Sequence, residues 1–182
     1  FNQPDEPLDM RFNPQATAST AGRIINEAEP AELERILREY GEEQFAGQIA
    51  AAIAIARRTA PFRTVGDLVR TIEASVPPWY RRKRIHCATK TFQALRVAVN
   101  DELGNVSSGV TAAIRVLKPG GRLVVIAFQG SEDKIVREIF KQAAKERTVR
   151  WVTRDTIRPT WDEVQANPRA RSAKLKVVEK QP

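Results

Sequence analysis

The stretch "LKPGGRLVVIAF", residues 117–128, limits the possible folds of this chain more than any other. Pro119, Gly120 and Gly121 make a turn, and "LVVIAF" follows as an unbroken apolar run rich in β-branched residues. The run is too short for a helix of its own. Its continuous apolarity predicts a strand covered on both faces, as in a parallel α/β sheet. Such a strand needs helices to cover it. Ser131 can cap the next helix, with Glu132 and Asp133 in its favourable first turn and Ile135, Ile139 and Phe140 on its apolar side. "TVRWVTR" (148–154) and "AKLKVVEK" (173–180) are two further strand candidates.

Before residue 90 the pattern is helical throughout. Thr17 or Ser19 can cap a short helix reaching about Ala28. Pro30 suits a helix start, Leu33, Ile36, Leu37 and Tyr40 share one face, and Gly41 is read as the C-terminal cap. A third helix is expected over 42–58, with Phe45, Ile49, Ile53 and Ala56 inward. Thr64 and Asp67 have the spacing of a capping box that opens a fourth helix through Leu68, Val69 and Ile72, stopped by Pro77 and Pro78. "HCATKTFQALRVAVNDEL" (86–103) then reads as one helix with Phe92, Leu95, Val99 and Leu103 on its apolar stripe. Asn105 is read as the cap of another, with Val106, Val110, Ile114 and Leu117 inward.

Charge narrows the partners. The chain carries 30 Lys and Arg against 22 Asp and Glu, a formal net charge of +8. That excess favours a polyanion, most simply nucleic acid. The distribution is uneven. Glu27, Glu29, Glu32, Glu34, Glu39, Glu42 and Glu43 crowd one segment, whereas Arg57 to Arg96 holds ten bases and, as acids, Asp67 and Glu73. The peak is "WYRRKR", 79–84. Aromatics stack on bases and cations pair with phosphates, so this is a candidate RNA contact. Four adjacent like charges repel unless an anion neutralises them, which assigns Arg81, Arg82, Lys83 and Arg84 to RNA. Trp79 is expected in the core. His86 and Cys87 are the sole histidine and cysteine, too few for an intrachain disulfide or a four-ligand zinc site, so no metal is expected. No apolar run approaches the roughly 18 residues of a membrane span.

Six segments together resemble one family: "PLDMRF" (7–12), "REYGEEQFAGQIAAAI" (38–53), "HCATKTFQALRVAVNDEL", "LKPGGRLVVIAF", "SEDKIVREIF" (131–140) and "NPRARSAKLKVVEK" (167–180). In this order they are similar to the bacterial small-subunit ribosomal RNA cytosine-N4 methyltransferases, the MraW/RsmH family. The resemblance implies a Rossmann-like S-adenosylmethionine methyltransferase sheet interrupted by an all-helical inserted domain. Here it implies residues 1–12 as a loop from the methyltransferase domain, 13–88 as the RNA-recognition insert, and 89–182 as the C-terminal half of the methyltransferase domain. The expected fold class is therefore α/β, with a partial sheet built from C-terminal strands. The family's glycine-rich cofactor turn has no counterpart: the one adjacent pair, Gly120-Gly121, precedes a strand instead of following one. No cofactor-binding residues are therefore assigned here, and the chain is read as a carboxy-terminal portion. A second departure is "AFQGSEDK", where Gln129 and Gly130 stand in place of the family's histidine and serine.

The implied reaction moves a methyl group from a sulfonium to a cytosine amine whose lone pair is delocalised into the ring. A site must align the amine and accept its hydrogen bonds, and the base must leave its stack. Asp9, Arg11 and Asn100 are the candidate pocket residues. Thr89, Lys90, Thr91 and Arg96 are candidate phosphate contacts, as are Arg169, Arg171 and Lys174. Asp9 with Arg11 as a loop salt bridge, and Thr89 as a helix cap, are the structural alternatives. Two functions stay open: the RNA-facing part of a cytidine methyltransferase, inactive alone, or a non-catalytic RNA-binding module derived from it. Small-subunit (16S) ribosomal RNA in the 30S subunit, a cytoplasmic location and a possible homodimer complete the expectations.

Overall fold

A computed structural model describes residues 3–15, 19–153 and 155–182. They form two compact units, Phe1–Glu102 and Leu103–Pro182.

The first unit is helical. Its elements are α1 (Ala21–Glu27), α2 (Pro30–Glu39), α3 (Ala46–Ala56), α4 (Val65–Ser75), the single turn α5 (Pro78–Arg81) and α6 (Thr89–Val99). Helices α2, α3 and α4 pack in sequence, and α6 lies on α2 and α1. One core joins them: Ile25, Leu33, Leu37, Ile49, Ile53, Leu68, Ile72 and Leu95 are all fully enclosed. The expected capping box is present, with Thr64 accepting from the Asp67 amide and Asp67 accepting from the Thr64 amide at 2.9 Å.

Three local expectations shift. Thr20 caps α1 by accepting from Arg23, whereas Thr17 lies outside the described residues. The third helix starts at Ala46, because Glu43 leaves the helical path and turns into the core. Gly41 is not a left-handed cap: the positive φ belongs to Glu42. A Cβ on Gly41 would stand 2.5 Å from the Lys90 carbonyl oxygen and 2.9 Å from that of Leu37. The glycine lets the end of α2 touch the start of α6.

The expected helix over 86–103 breaks at Asn100 and Asp101. Asp101 takes φ 45°, a left-handed conformation that Asp tolerates better than most residues. Helix α7 (Glu102–Val116) starts directly after, so Asn105 lies inside it and is no cap.

The second unit carries a three-stranded sheet, ordered β1 (Arg122–Ala127), β3 (Lys174–Lys180), β2 (Val149–Trp151). Both neighbours run antiparallel to β3, with Val124 opposite Val177 and Arg150 opposite Glu179. β1 and β2 therefore run parallel to each other, one strand apart, and α8 (Gly130–Lys145) connects them. Phe140 is fully buried, beside Val136, Val149 and Val178. Its ring meets Trp151 edge-on at 5.6 Å.

The expectation of a strand buried on both faces needs correction within this chain. β1 alternates: Val124 and Ile126 are each about half exposed, and Phe128 just beyond them likewise. Helix α8 packs on the sheet, while the outward face of β1 carries bare apolar side chains. The β1 edge away from β3 has no strand partner among the described residues. Gln129, two residues before Ser131, is the N-cap of α8, and Glu132 reaches back to accept from the Phe128 and Gln129 amides at 3.1 Å each. A short helix, α9 (Trp161–Ala166), and a 3-10 turn, Pro168–Ser172, precede β3.

Candidate functional site

The segment "LDMRF" is fixed by hydrogen bonds from three directions. The Gly22 amide donates to Leu8 O at 2.6 Å and the Ala21 amide to Asp9 O at 2.9 Å. Met10 takes φ 64°, which turns the chain sharply between Asp9 and Arg11. Arg11 then grips Asp9 with two nitrogens, Nε at 2.6 Å and Nη2 at 2.9 Å. That guanidinium holds the Asp9 carboxyl below its ordinary range, so Asp9 stays an ionised acceptor. The salt bridge named as the structural alternative is thus present. It coexists with a half-exposed carboxylate facing a shallow cleft of about 320 Å³ shared with Thr20, Asn26 and Arg63.

Asn100 ties this loop to α6. Its Oδ1 accepts from the Phe12 amide at 2.8 Å, and its Nδ2 donates to Met10 O and Arg96 O, both at 2.9 Å. Residues 88 and 90 apart in sequence are joined in this way. Asp9 and Arg11, read together from "LDMRF", and Asn100, read from the end of α6, therefore belong to one cluster. Asn100 holds the loop. Arg96, at the same end of α6, is engaged by Glu102 through two bonds of 2.7 and 3.1 Å.

The start of α6 is different. Ala88 occupies the cap position, so Thr89 is the first helical residue and not its cap. Lys90 donates to Glu42 O at 2.7 Å. Thr91 is fully buried, and its hydroxyl has no hydrogen-bond partner among the described residues. Thr89 and Lys90 are half-buried.

Around α5 the structure corrects the placement of Trp79. Tyr80 is the buried member of the pair; Trp79 is 55% exposed. The Tyr80 hydroxyl donates to Glu43, 2.8 and 3.0 Å from its two oxygens, and Glu43 also accepts from the Phe45 amide at 2.9 Å. Burial, then the Glu43 carboxylate, push the Tyr80 hydroxyl well above its usual range. Arg81, Arg82, Lys83 and Arg84 are all exposed, and none forms an ion pair among the described residues. Elsewhere in the unit Arg23, Arg35, Arg38 and Arg70 each meet an acid.

Beside this patch, Glu73, His86 and Cys87 bring ligand-type atoms within 4.8 Å of one another. His86 Nδ1 accepts from the Ala88 amide at 3.2 Å, so a neutral ring carries its proton on Nε2, 3.2 Å from Glu73. That arrangement fits a hydrogen-bonded histidine better than a metal ligand. Burial, and Glu73 next, raise the Cys87 thiol pKa, which disfavours the thiolate a metal needs.

In the second unit Asp133 faces Lys176 and Lys174, the latter at 3.8 Å. Lys176 is buried, and the sequence pattern gave no sign that it would be. Arg169 and Arg171 on the 3-10 turn are exposed, while Lys174 is half-buried. As a cradle for a dinucleotide-like cofactor the described residues fit poorly. Such a cradle needs a glycine turn after a strand, yet Gly120 and Gly121 precede β1 and serve its pairing, with the Gly120 amide donating to Lys180 O at 2.9 Å. Sequence reasoning missed Glu43, whose acidic neighbourhood read as solvent-facing; it named Lys83 as an RNA contact but not the position of its ammonium, 4.9 Å from the ring centres of both Trp79 and Tyr80.

Comparison with known proteins places these features in a family context. The MraW methylase family matches residues 1–181. A protein of Symbiobacterium thermophilum named Ribosomal RNA small subunit methyltransferase H is 46% identical over 191 residues, covering 97% of this chain and 60% of that protein. Its namesake in Heliobacterium modesticaldum is 43% identical, covering 97% of this chain and 61% of the relative. The one in Elusimicrobium minutum is 47% identical over 174 residues, covering 96% and 58%. This chain spans about 60% of the length of these relatives.

Proposed function

This chain belongs to the MraW methylase family, and from that premise we propose that it forms the RNA-facing portion of a methyltransferase acting on small-subunit ribosomal RNA. The match over residues 1–181, against relatives of which the chain spans about 60%, carries the reading. The half-exposed apolar face of β1, and its edge without a strand partner among the described residues, support it, since further strands would pair the edge and further helices would cover the face. The finer assignment is N4-methylation of a cytidine in 16S RNA. S-adenosylmethionine supplies the methyl group, and its cradle lies outside this chain.

On this reading Asp9 accepts a hydrogen bond from the cytosine amine, returning lone-pair density to the nitrogen. Arg11 keeps that carboxylate ionised, and Asn100 fixes the loop's position. Arg81 to Arg84 meet RNA phosphates, as do Arg169, Arg171 and Lys174 in the second unit; Thr89, Lys90 and Arg96 border the substrate path, whereas Thr91 is fully enclosed, which takes it out of the RNA contact. The helices of 13–88 act as the RNA-recognition insert, and 89–182 belong to the catalytic fold. The partner is the 30S subunit, the location is cytoplasmic, and a homodimer joins the proposal. A second reading, an RNA-binding module without catalysis, is favoured by the poor fit of Gly120-Gly121 to a cofactor turn.

Methyl transfer from labelled S-adenosylmethionine to 30S subunits tests the pair. The first reading predicts none from this chain alone, and transfer once a relative's remaining N-terminal segment is supplied. RNA binding with no rescue under that condition selects the second. Absence of both binding and transfer overturns both.

A further inference from the structure

We propose that Trp79 is a stacking platform for an unpaired base of the RNA, and that Lys83 serves the adjoining phosphate. The inference rests on the RNA-facing reading above and specifies which kind of RNA element this patch takes.

The geometry begins at Tyr80. Its hydroxyl is anchored to Glu43, a carboxylate only 1% exposed, so this point of the one-turn helix α5 is pinned to the core. Pro77 and Pro78 restrict the backbone on the approach. One residue before the anchor, Trp79 emerges into solvent. Its indole is braced: Phe45 meets it at 5.7 Å and Tyr80 at 5.8 Å, with interplanar angles of 60° and 72°. Phe45 and Tyr80 brace each other at 4.8 Å. An exposed aromatic is ordinarily free to turn; this one is held by edge-to-face contacts. Restricting the ring beforehand lowers the entropy lost when a base stacks on it.

Charge points to the same ligand. Lys83 Nζ lies over the Trp79 and Tyr80 rings, so a cation already occupies the site where a polyanion would arrive. Arg81, Arg82 and Arg84 lie beside it, exposed and without acidic partners among the described residues. A π-face beside a cluster of unpaired cations suits single-stranded nucleic acid, where every base offers a face to stack and every phosphate a charge to neutralise. A duplex keeps its bases inside and would use the cations alone. A membrane surface is the weaker fit: α5 is a single turn and presents one aromatic, not an apolar stripe.

The test uses this chain with a fluorescein-labelled oligocytidylate of about 12 nucleotides, compared with a duplex of equal length. Trp79→Leu should weaken single-strand binding about 5- to 100-fold at every salt concentration, leave the salt slope unchanged, and scarcely affect the duplex. Trp79→Phe should retain most of the affinity. Lys83→Gln should reduce the salt slope by about 0.7. With unlabelled oligonucleotide, the emission lost between wild type and Trp79→Phe, which isolates Trp79, should be quenched on binding. Unquenched Trp79 emission, or equal single-strand affinity for Trp79→Leu and wild type, overturns the platform; RNA binding that persists with its salt dependence leaves the broader reading standing. No binding of wild type to RNA removes both, and binding to anionic phosphatidylserine vesicles instead of the oligonucleotide assigns the patch elsewhere.

Discussion

Replacing Asn100 by Ala should release "LDMRF" from α6 while leaving the helical core folded. The bonds lost include one from the Phe12 amide and two to the Met10 and Arg96 carbonyls. Phe12 is well exposed, so its amide regains water at small loss. Met10 and Arg96 are half-buried, and their carbonyls lose their side-chain donor. A net loss near 1 kcal/mol per buried bond puts the local penalty at about 2 kcal/mol, or roughly 30-fold faster opening. Hydrogen exchange followed by mass spectrometry on peptides spanning 9–12 reads it directly. Asn100→Asp separates the contributions: it keeps the acceptor for Phe12 but sets a carboxylate against two carbonyls, and should open the loop at least as far. Unchanged protection in both variants would show that the loop is held by its backbone contacts to Ala21 and Gly22 alone, and would remove Asn100 from the site.

Gly41→Ala should destabilise the first unit by about 1–3 kcal/mol in denaturant titrations, because the Lys90 and Leu37 carbonyls leave no room for a methyl group. Backbone bonds from Thr64 and Arg63 lower the Asp67 pKa, so its contribution is complete above about pH 4, the unfolded range, and fades as pH falls through the lower folded value. Asp67→Asn should flatten that acid limb of the melting-temperature profile. Replacing Arg81, Arg82, Lys83 and Arg84 together by Ala should cut the salt slope of RNA binding by about 3, measured by filter retention.

What the sequence made legible was local and periodic. Leu33, Ile36 and Leu37 announce α2, and Thr64 with Asp67 announces α4, because spacing and capping act over one or two turns. "LVVIAF" announced a strand but not its surroundings. Periodicity reports what a strand is built to bury, and the outward face of β1 carries Val124 and Ile126 about half exposed. The misread positions depend on contacts far along the chain. Gly41 answers to Lys90, Glu43 to Tyr80, and Asn100 to Met10. Trp79 shows the same limit: apolarity favoured the core, but the single inward position of that turn went to Tyr80, whose hydroxyl has a buried acceptor. The pair Asp9 and Arg11 was readable, and so was Asn100 as a candidate; the bonds that join Asn100 to their loop were not.

Titration of S-adenosylmethionine into this chain, followed by calorimetry, tests the central claim most directly. A chain that carries the RNA side of the site without the methyl donor's cradle should show no saturable heat at micromolar concentrations. A stoichiometric micromolar site would contradict it, placing a complete cofactor pocket on a chain whose turn from β1 to α8 holds a single glycine, Gly130, and no glycine-rich loop.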